Sequence, residues 1–159
     1  MSPWSLRGAR LKRTMTLNLL SGHRAHMTMK INQNLPGQRV MPTLRITDYA
    51  TSKGFYVEGL GFQIDWEHRF EPHFPVFMQV SRDGLALFLS EHTGDCPVGG
   101  LVHLYVPDVD DWYDEFRRKG VSVKEPPNES LQGLRSMTIT DPDGNKLHIC
   151  TRLEGWSRD

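Results

Sequence analysis

Thr140-Asp141-Pro142-Asp143-Gly144-Asn145-Lys146-Leu147-His148-Ile149-Cys150 is the stretch on which the fold turns. Asp143-Gly144 lies between two runs of strand character, Ser136 to Thr140 and Lys146 to Thr151, the sequence signal of a tight β-hairpin. Sixty residues upstream the arrangement recurs, with Asp83-Gly84 between Val76 to Val80 and Leu85 to Leu89. Two more aspartates keep the same offset: Asp48 closes Leu44-Arg45-Ile46-Thr47 and Asp108 closes Leu104-Tyr105-Val106-Pro107, each ahead of a helical segment. A repeat of this length marks a supersecondary unit that cannot bury its apolar face alone and pairs with a copy of itself. Function is then to be sought in the crevice between the copies.

Working outward, the first copy reads as a strand from Val40 to Thr47 with Pro42 near its start, then a short helix from Tyr49 to Val57 stopped by Gly59-Leu60-Gly61. A strand from Phe62 to His68, a loop carrying Pro72 and Pro75, and the hairpin Val76 to Leu89 complete it. Glu91 to Gly100 links the copies. The second copy has the clearer helix: Asp108 is placed to cap it, Asp110, Asp111, Asp114 and Glu115 suit its positive start, Arg117-Arg118-Lys119 suit its end, and Gly120 stops it. Val109, Trp112 and Phe116 have the spacing of a buried stripe. Strands Val121 to Lys124, Ser136 to Thr140 and Lys146 to Thr151 follow. The expected class is α+β, two tandem βαβββ modules (residues 40–90 and 100–151) whose curved mixed sheets surround a crevice.

The formal net charge of zero conceals an uneven distribution. Residues 1–40 hold seven of the nineteen Lys/Arg and no acid, so residues 41–159 carry twelve basic side chains against nineteen acidic ones. Residues 1–37 are therefore set apart as a basic tail, disordered or not native: they read either as a segment like an organelle transit peptide or as an overlong frame ahead of a start at Met27, Met29 or Met41. Residues 38–152 are expected to form the domain, with 153–159 as a C-terminal tail. No apolar run reaches the roughly 18 residues of a membrane helix. Cys96 and Cys150 have neither the number nor the spacing of a disulfide framework or a zinc motif, so a cytoplasmic location is expected. No Ser or Cys nucleophile sits in a recognisable elbow, and Gly99-Gly100 is a linker rather than a phosphate cradle.

Phe55-Tyr56-Val57-Glu58-Gly59-Leu60-Gly61-Phe62, and Thr140 to Asn145 ahead of the last strand, resemble the vicinal oxygen chelate superfamily of glyoxalase I, ring-cleaving dioxygenases and bleomycin resistance proteins. Asp65-Trp66-Glu67-His68-Arg69-Phe70-Glu71-Pro72, Leu87-Phe88-Leu89-Ser90-Glu91-His92 and the position of His148 are similar to the bleomycin resistance branch. The resemblance implies a homodimer that exchanges its first strand near Pro42. In the superfamily's enzymes it also implies a divalent metal held by inward side chains on the first and last strands of each module. Counting from the repeated aspartates puts those positions at Met41, Phe88, Val102 and His148, and of these only His148 can ligate. A one-residue shift would exchange Val102 for His103 and still supply two imidazoles alone. No metal, no cofactor and no enzymatic role are expected.

Trp66, Phe70, Phe74 and Phe77 concentrate aromatic surface around a loop with two prolines, and Asp65, Glu67, Glu71, Glu91 and Asp95 surround them in sequence. Acids beside aromatic faces suit a planar or cationic ligand, since both attract it. His68, His73 and His92 fall near strand ends or in loops and read as solvated polar groups. His148 alternates with Leu147 and Ile149 and shares its face with Cys150, which suits a hydrogen-bonded crevice histidine. The resembled branch commonly carries Trp-Gly-Arg-Glu before the strand that leads to Asp-Pro-x-Gly; gapless counting finds Gly133, Leu134, Arg135 and Ser136 there, so Arg135 alone is kept. The ligand-binding set is accordingly Asp65, Trp66, His68, Phe70, Phe74, Phe77, Ser90, Arg135 and His148. The expected function is metal-free sequestration of a cationic aromatic small molecule, a bleomycin-type glycopeptide among the candidates, by a dimer with no nucleic-acid or membrane partner. A metal-dependent superfamily enzyme and a ligand-free scaffold dimer are the alternatives.

Overall fold

Both helices begin by the same device. Asp48 and Asp108 stand in extended conformation, and their carboxylates accept from backbone N–H groups of the first turn: Thr51 at 2.7 Å in one case, Asp110 at 2.8 Å and Asp111 at 3.3 Å in the other. The structure, a computed structural model, describes residues 40–153, apart from the side chains of 130 and 131. The basic segment 1–37 and tail residues 154–159 lie outside the described residues. The first module runs β1 (Thr43–Arg45), α1 (Tyr49–Lys53), β2 (Gln63–His68), β3 (Phe77–Arg82) and β4 (Leu85–Ser90). The second runs β5 (Leu101–Tyr105), α2 (Val109–Arg118), β6 (Asn128–Leu131), β7 (Leu134–Thr140) and β8 (Lys146–Arg152).

Each module folds into one four-stranded mixed sheet, ordered β1-β4-β3-β2 and β5-β8-β7-β6. First and last strands pair in parallel, Thr43 opposite Phe88 and His103 opposite His148; the other pairs are antiparallel. These two parallel registers are themselves sixty residues apart, so the repeat seen in the sequence is a repeat of structure. The first hairpin turns on Asp83 (φ 49°) and Gly84 (φ 81°), two consecutive left-handed residues that match the twist of paired strands.

The core lies between the helices and one face of each sheet. Leu44, Ile46, Tyr56, Leu60, Phe62, Met78, Val80, Leu87 and Leu89 of the first module are buried, as are Val102, Leu104, Val109, Trp112, Phe116, Met137, Ile139, Leu147 and Ile149 of the second. Both sets belong to one continuous cluster. Each such side chain contributes roughly 1.5–3 kcal/mol by leaving water.

The Asp141 to Asn145 turn stitches the modules together. The buried Asp141 carboxylate accepts from Tyr56 Oη (2.8 Å) in the first module, from Asn145 Nδ2 (2.8 Å), and from the N–H groups of Asp143 (2.9 Å) and Asn145 (2.7 Å). Asn145, fully buried, donates through Nδ2 to the Arg45 carbonyl (2.7 Å) and accepts from the Gly100 N–H (2.9 Å). On another side Arg82 lies 3.9 Å above the Trp112 ring and donates to Glu115 at 2.5 Å, tying the first hairpin to α2.

Two elements depart from the sequence reading. The first helix is α-helical only to Lys53 and continues as a π-helical segment, Gly54–Gly59, in which the Leu60 N–H reaches back five residues to the Phe55 carbonyl at 2.9 Å. Val121 to Lys124 forms no strand; pairing starts at Asn128, after Pro126-Pro127, where two residues without an N–H cannot join a ladder. Val121 and Val123 instead pack against the core from outside the sheet. No helix among the described residues is long and apolar enough to cross a membrane.

Candidate functional site

On the face of the first sheet that turns away from the helices, three aromatic rings meet. Trp66 lies 5.7 Å from both Phe77 and Phe88, and those two are 5.1 Å apart, all with tilted ring planes. They come from β2, β3 and β4, rigid neighbouring strands rather than a loop. A bulge in β2 sets their acidic neighbour. Ile64 pairs with Val80 and Trp66 with Gln79, so Asp65 is an extra residue. Adjacent residues of a regular strand point to opposite faces. Here Asp65 instead turns to the side of Trp66, where its carboxylate accepts from Gln79 Nε2 (2.7 Å) and Ser81 Oγ (2.8 Å). Trp66 Nε1 is buried and has no hydrogen-bond partner among the described residues, which leave the desolvation of this donor uncompensated.

His68 and Phe70 continue this surface. Their rings meet edge-on at 4.9 Å, and Phe70, 65% exposed, lies 6.1 Å from His92. Four predicted residues are placed elsewhere. Phe74 projects into solvent against His73 rather than joining the triad. Ser90 is fully buried and its hydroxyl is used internally, donating to Asp95 at 2.5 Å and accepting from the His92 N–H at 3.1 Å. Arg135 stands beside α2, its guanidinium bonded to both carboxylate oxygens of Asp110 at 2.5 and 2.8 Å. His148 belongs to a separate cluster on the second sheet. The surrounding acids are also largely engaged: Glu67 accepts from Tyr49 Oη, and Glu91 from the N–H groups of Tyr49 and Val76. Phe88 is the member of the aromatic surface outside the expected ligand-binding set: in the all-apolar run Leu87-Phe88-Leu89 nothing local marks which face its ring takes.

The second sheet corrects the placement of the ligand positions. The residue across from Phe88 on β1 is Thr43, not Met41, and the residue across from His148 on β5 is His103, not Val102. Val102 points into the core at 7% exposure, while His103 is exposed on the other face. His148 is therefore not alone. The His103 and His148 rings are 4.9 Å apart, His148 Nδ1 is 2.8 Å from Thr138 Oγ1, and Cys150 lies on the same face. Burial, reinforced by the neighbouring His103, lowers the His148 pKa from its ordinary value, and burial raises that of the Cys150 thiol. On the first sheet the matching pair, Thr43 and Phe88, offers no comparable donors, so a site drawing on all four positions would be incomplete.

Where the outer strand of one sheet approaches that of the other, Val40, Pro42, Leu85, Ala86, Leu101, His103 and Tyr105 line a groove of about 560 Å³. Val40, Leu101 and Tyr105 are among the most exposed large apolar side chains of the described residues, at 77%, 59% and 46%.

Comparison with known proteins agrees with this architecture. YraH of Bacillus subtilis (strain 168), itself uncharacterized, is 28% identical over 122 residues, covering 69% of this chain and 94% of that protein. The crystal structure of TnmS3, an antibiotic binding protein from Streptomyces sp. CB03234, matches with a TM-score of 0.59 and 27% identity over 70% of this chain and 93% of that one. A bleomycin resistance determinant encoded on the transposon Tn5 shares the fold, with a TM-score of 0.60 and 22% identity over 72% and 98% of the two chains. The family described as glyoxalase superfamily protein matches residues 25–156. With that match, the sixty-residue repeat and the paired βαβββ sheets together, the chain belongs to the glyoxalase superfamily.

Proposed function

We propose that the protein binds a cationic aromatic small molecule of the antibiotic type on the Trp66–Phe77–Phe88 surface, as a homodimer, and sequesters it without chemistry. The observation that carries this reading is the unpartnered Trp66 N–H beside the Asp65 carboxylate, on a rigid aromatic platform. A planar ligand can stack on the rings, place its positive charge near Asp65 and offer an acceptor to the indole N–H. The excess of acids in residues 41–159 favours the approach of such a ligand. TnmS3, a fold relative, is an antibiotic binding protein. Thr43 and Phe88 favour binding over the metal-dependent chemistry of the superfamily's enzymes, because the first module supplies neither imidazole nor carboxylate at those positions. The apolar groove at Leu101 and Tyr105 supports association of two chains.

Calorimetric titration of the EDTA-treated protein with bleomycin tests this. Trp66→Ala should weaken binding by about 1–3 kcal/mol, the worth of one aromatic stacking face, with thermal melts as the folding control. Trp66→Phe should recover the stacking part and not the hydrogen bond. Equal affinity in wild type and Trp66→Ala would remove the aromatic surface as the binding site, and no binding by wild type would strike glycopeptides from the ligand class.

A further inference from the structure

The second sheet is uneven in charge. Alternate residues of β8, Lys146, His148, Cys150 and Arg152, turn away from the helices. Their partners across the ladder share that side: His103 on β5, and Ser136, Thr138 and Thr140 on β7. These strands put cations, imidazoles and hydroxyls on the open face and no carboxylate, although nineteen acids outnumber twelve Lys/Arg over residues 41–159. Lys146 is exposed, and no acid among the described residues pairs with it. We infer that this face binds an oxyanion, the carboxylate, sulfate or phosphate group of a small molecule, between His103 and His148.

The spacing of the rings suits such a group. The nitrogens that His103 and His148 offer lie within 4.8 Å of one another. An oxygen accepting an N–H from each at about 2.8 Å spans donors up to roughly 5.6 Å apart, so one anion oxygen fits between the rings as they stand. Thr138 Oγ1, 2.8 Å from His148 Nδ1, can donate to that nitrogen and so keep the ring proton on Nε2, where it is offered outward. Lys146, two residues along β8, supplies the full charge that neutral imidazoles lack, and Arg152 stands at the other end, 4.8 Å above the Tyr105 ring. The first module adds only Val40, Pro42, Leu85 and Ala86 to the wall beside His103, and Asp83 at the nearby hairpin turn is paired with Arg82. Acids elsewhere are screened over a Debye length of about 8 Å at physiological ionic strength. The site takes charge opposite to that favoured by the aromatic surface of the first module, and it stands whether or not that surface binds a cation.

The test uses the untagged full chain, stripped with EDTA and dialysed, titrated with sodium sulfate while sodium chloride holds the ionic strength constant. The histidine imidazole 1H and 15N signals are the readout. Saturable shifts of two imidazoles at one sulfate per chain are expected. His103→Ala and Lys146→Gln, both at exposed positions, should each weaken sulfate about tenfold, the worth of one charge-assisted hydrogen bond. Thr138→Val should weaken it too and move the His148 proton from Nε2 toward Nδ1 in the 15N pattern, which a merely structural threonine would not do. Phenyl phosphate is titrated in parallel: tighter binding than sulfate assigns the site to the ester group of an organic molecule, and the reverse order assigns it to a free inorganic anion. Shifts that grow linearly without saturation, chloride reproducing the effect of sulfate, or equal sulfate affinity in His103→Ala would overturn the site.

Discussion

Asp141 accepts four hydrogen bonds inside the protein. Its loss would strand the Tyr56 hydroxyl, the Asn145 amide and two backbone N–H groups away from water. Asp141→Ala should therefore lower unfolding free energy by on the order of 3 kcal/mol in urea titration. Tyr56 gives the same network a pH signature. Burial first, and then the Asp141 charge, push its phenol far above the ordinary value of 10.0. Above about pH 10 the unfolded chain releases that proton and the folded one keeps it, so stability should fall as pH rises through that point. Tyr56→Phe should cost about 1 kcal/mol at neutral pH and remove part of the alkaline loss, as read by melts across pH. Sequence marked the Asp-Pro-Asp-Gly-Asn stretch as a turn and a family feature, but not as a junction. Its partners Tyr56 and Arg45 lie 85 and 100 residues away, and no local pattern encodes such pairings.

Helix starts and hairpin turns are decided by a few adjacent residues, which is why the elements were legible at those points. Asp108 caps α2 with two bonds, and Asp108→Ala should cost about 0.5–2 kcal/mol in chemical denaturation. The acid limb should respond at the other side of the helix. Burial alone would raise the Glu115 pKa, but bonds from Lys119 and Arg82 outweigh it and hold it below its ordinary value. The stability this contributes is present above the unfolded value near 4.5 and is lost as pH falls through the folded value. Where elements were misread, a competing cause can be named. In β5, Leu101, His103 and Tyr105 alternate with Val102 and Leu104, and apolar side chains occupy both faces. The pattern does not say which set is inward, and a one-residue slip exchanges them. Holding the sixty-residue offset strictly, from Thr43 to His103 as from Phe88 to His148, would have settled it. The β2 bulge left no comparable signal: counting by twos puts Asp65 and Trp66 on opposite faces, and only the structure brings them together.

At the scale of the whole molecule, β1 and β5 end their sheets beside an apolar groove, and a second copy is expected to cover it. Light scattering at micromolar concentration should report a dimer, and Leu101→Lys, at a 59% exposed position, should yield a folded monomer; a monomeric wild type would dispose of the association. The parallel pairing of first and last strands also dictates an order of events. Hairpins β2–β3 and β3–β4 join near neighbours, whereas Thr43 must find Phe88, and His103 must find His148, across 45 residues of chain. Loop closure of that length costs entropy before any contact compensates it. Each module is thus expected to cross its folding barrier as a three-stranded meander, with the leading strand arriving afterwards. In stopped-flow kinetics Val80→Ala, in the meander, should slow refolding, and Leu44→Ala, in β1, should chiefly hasten unfolding. A nascent chain would then present a formed three-stranded sheet before its own first strand has docked, a brief interval in which the neighbour that supplies that strand is decided by local concentration rather than by sequence.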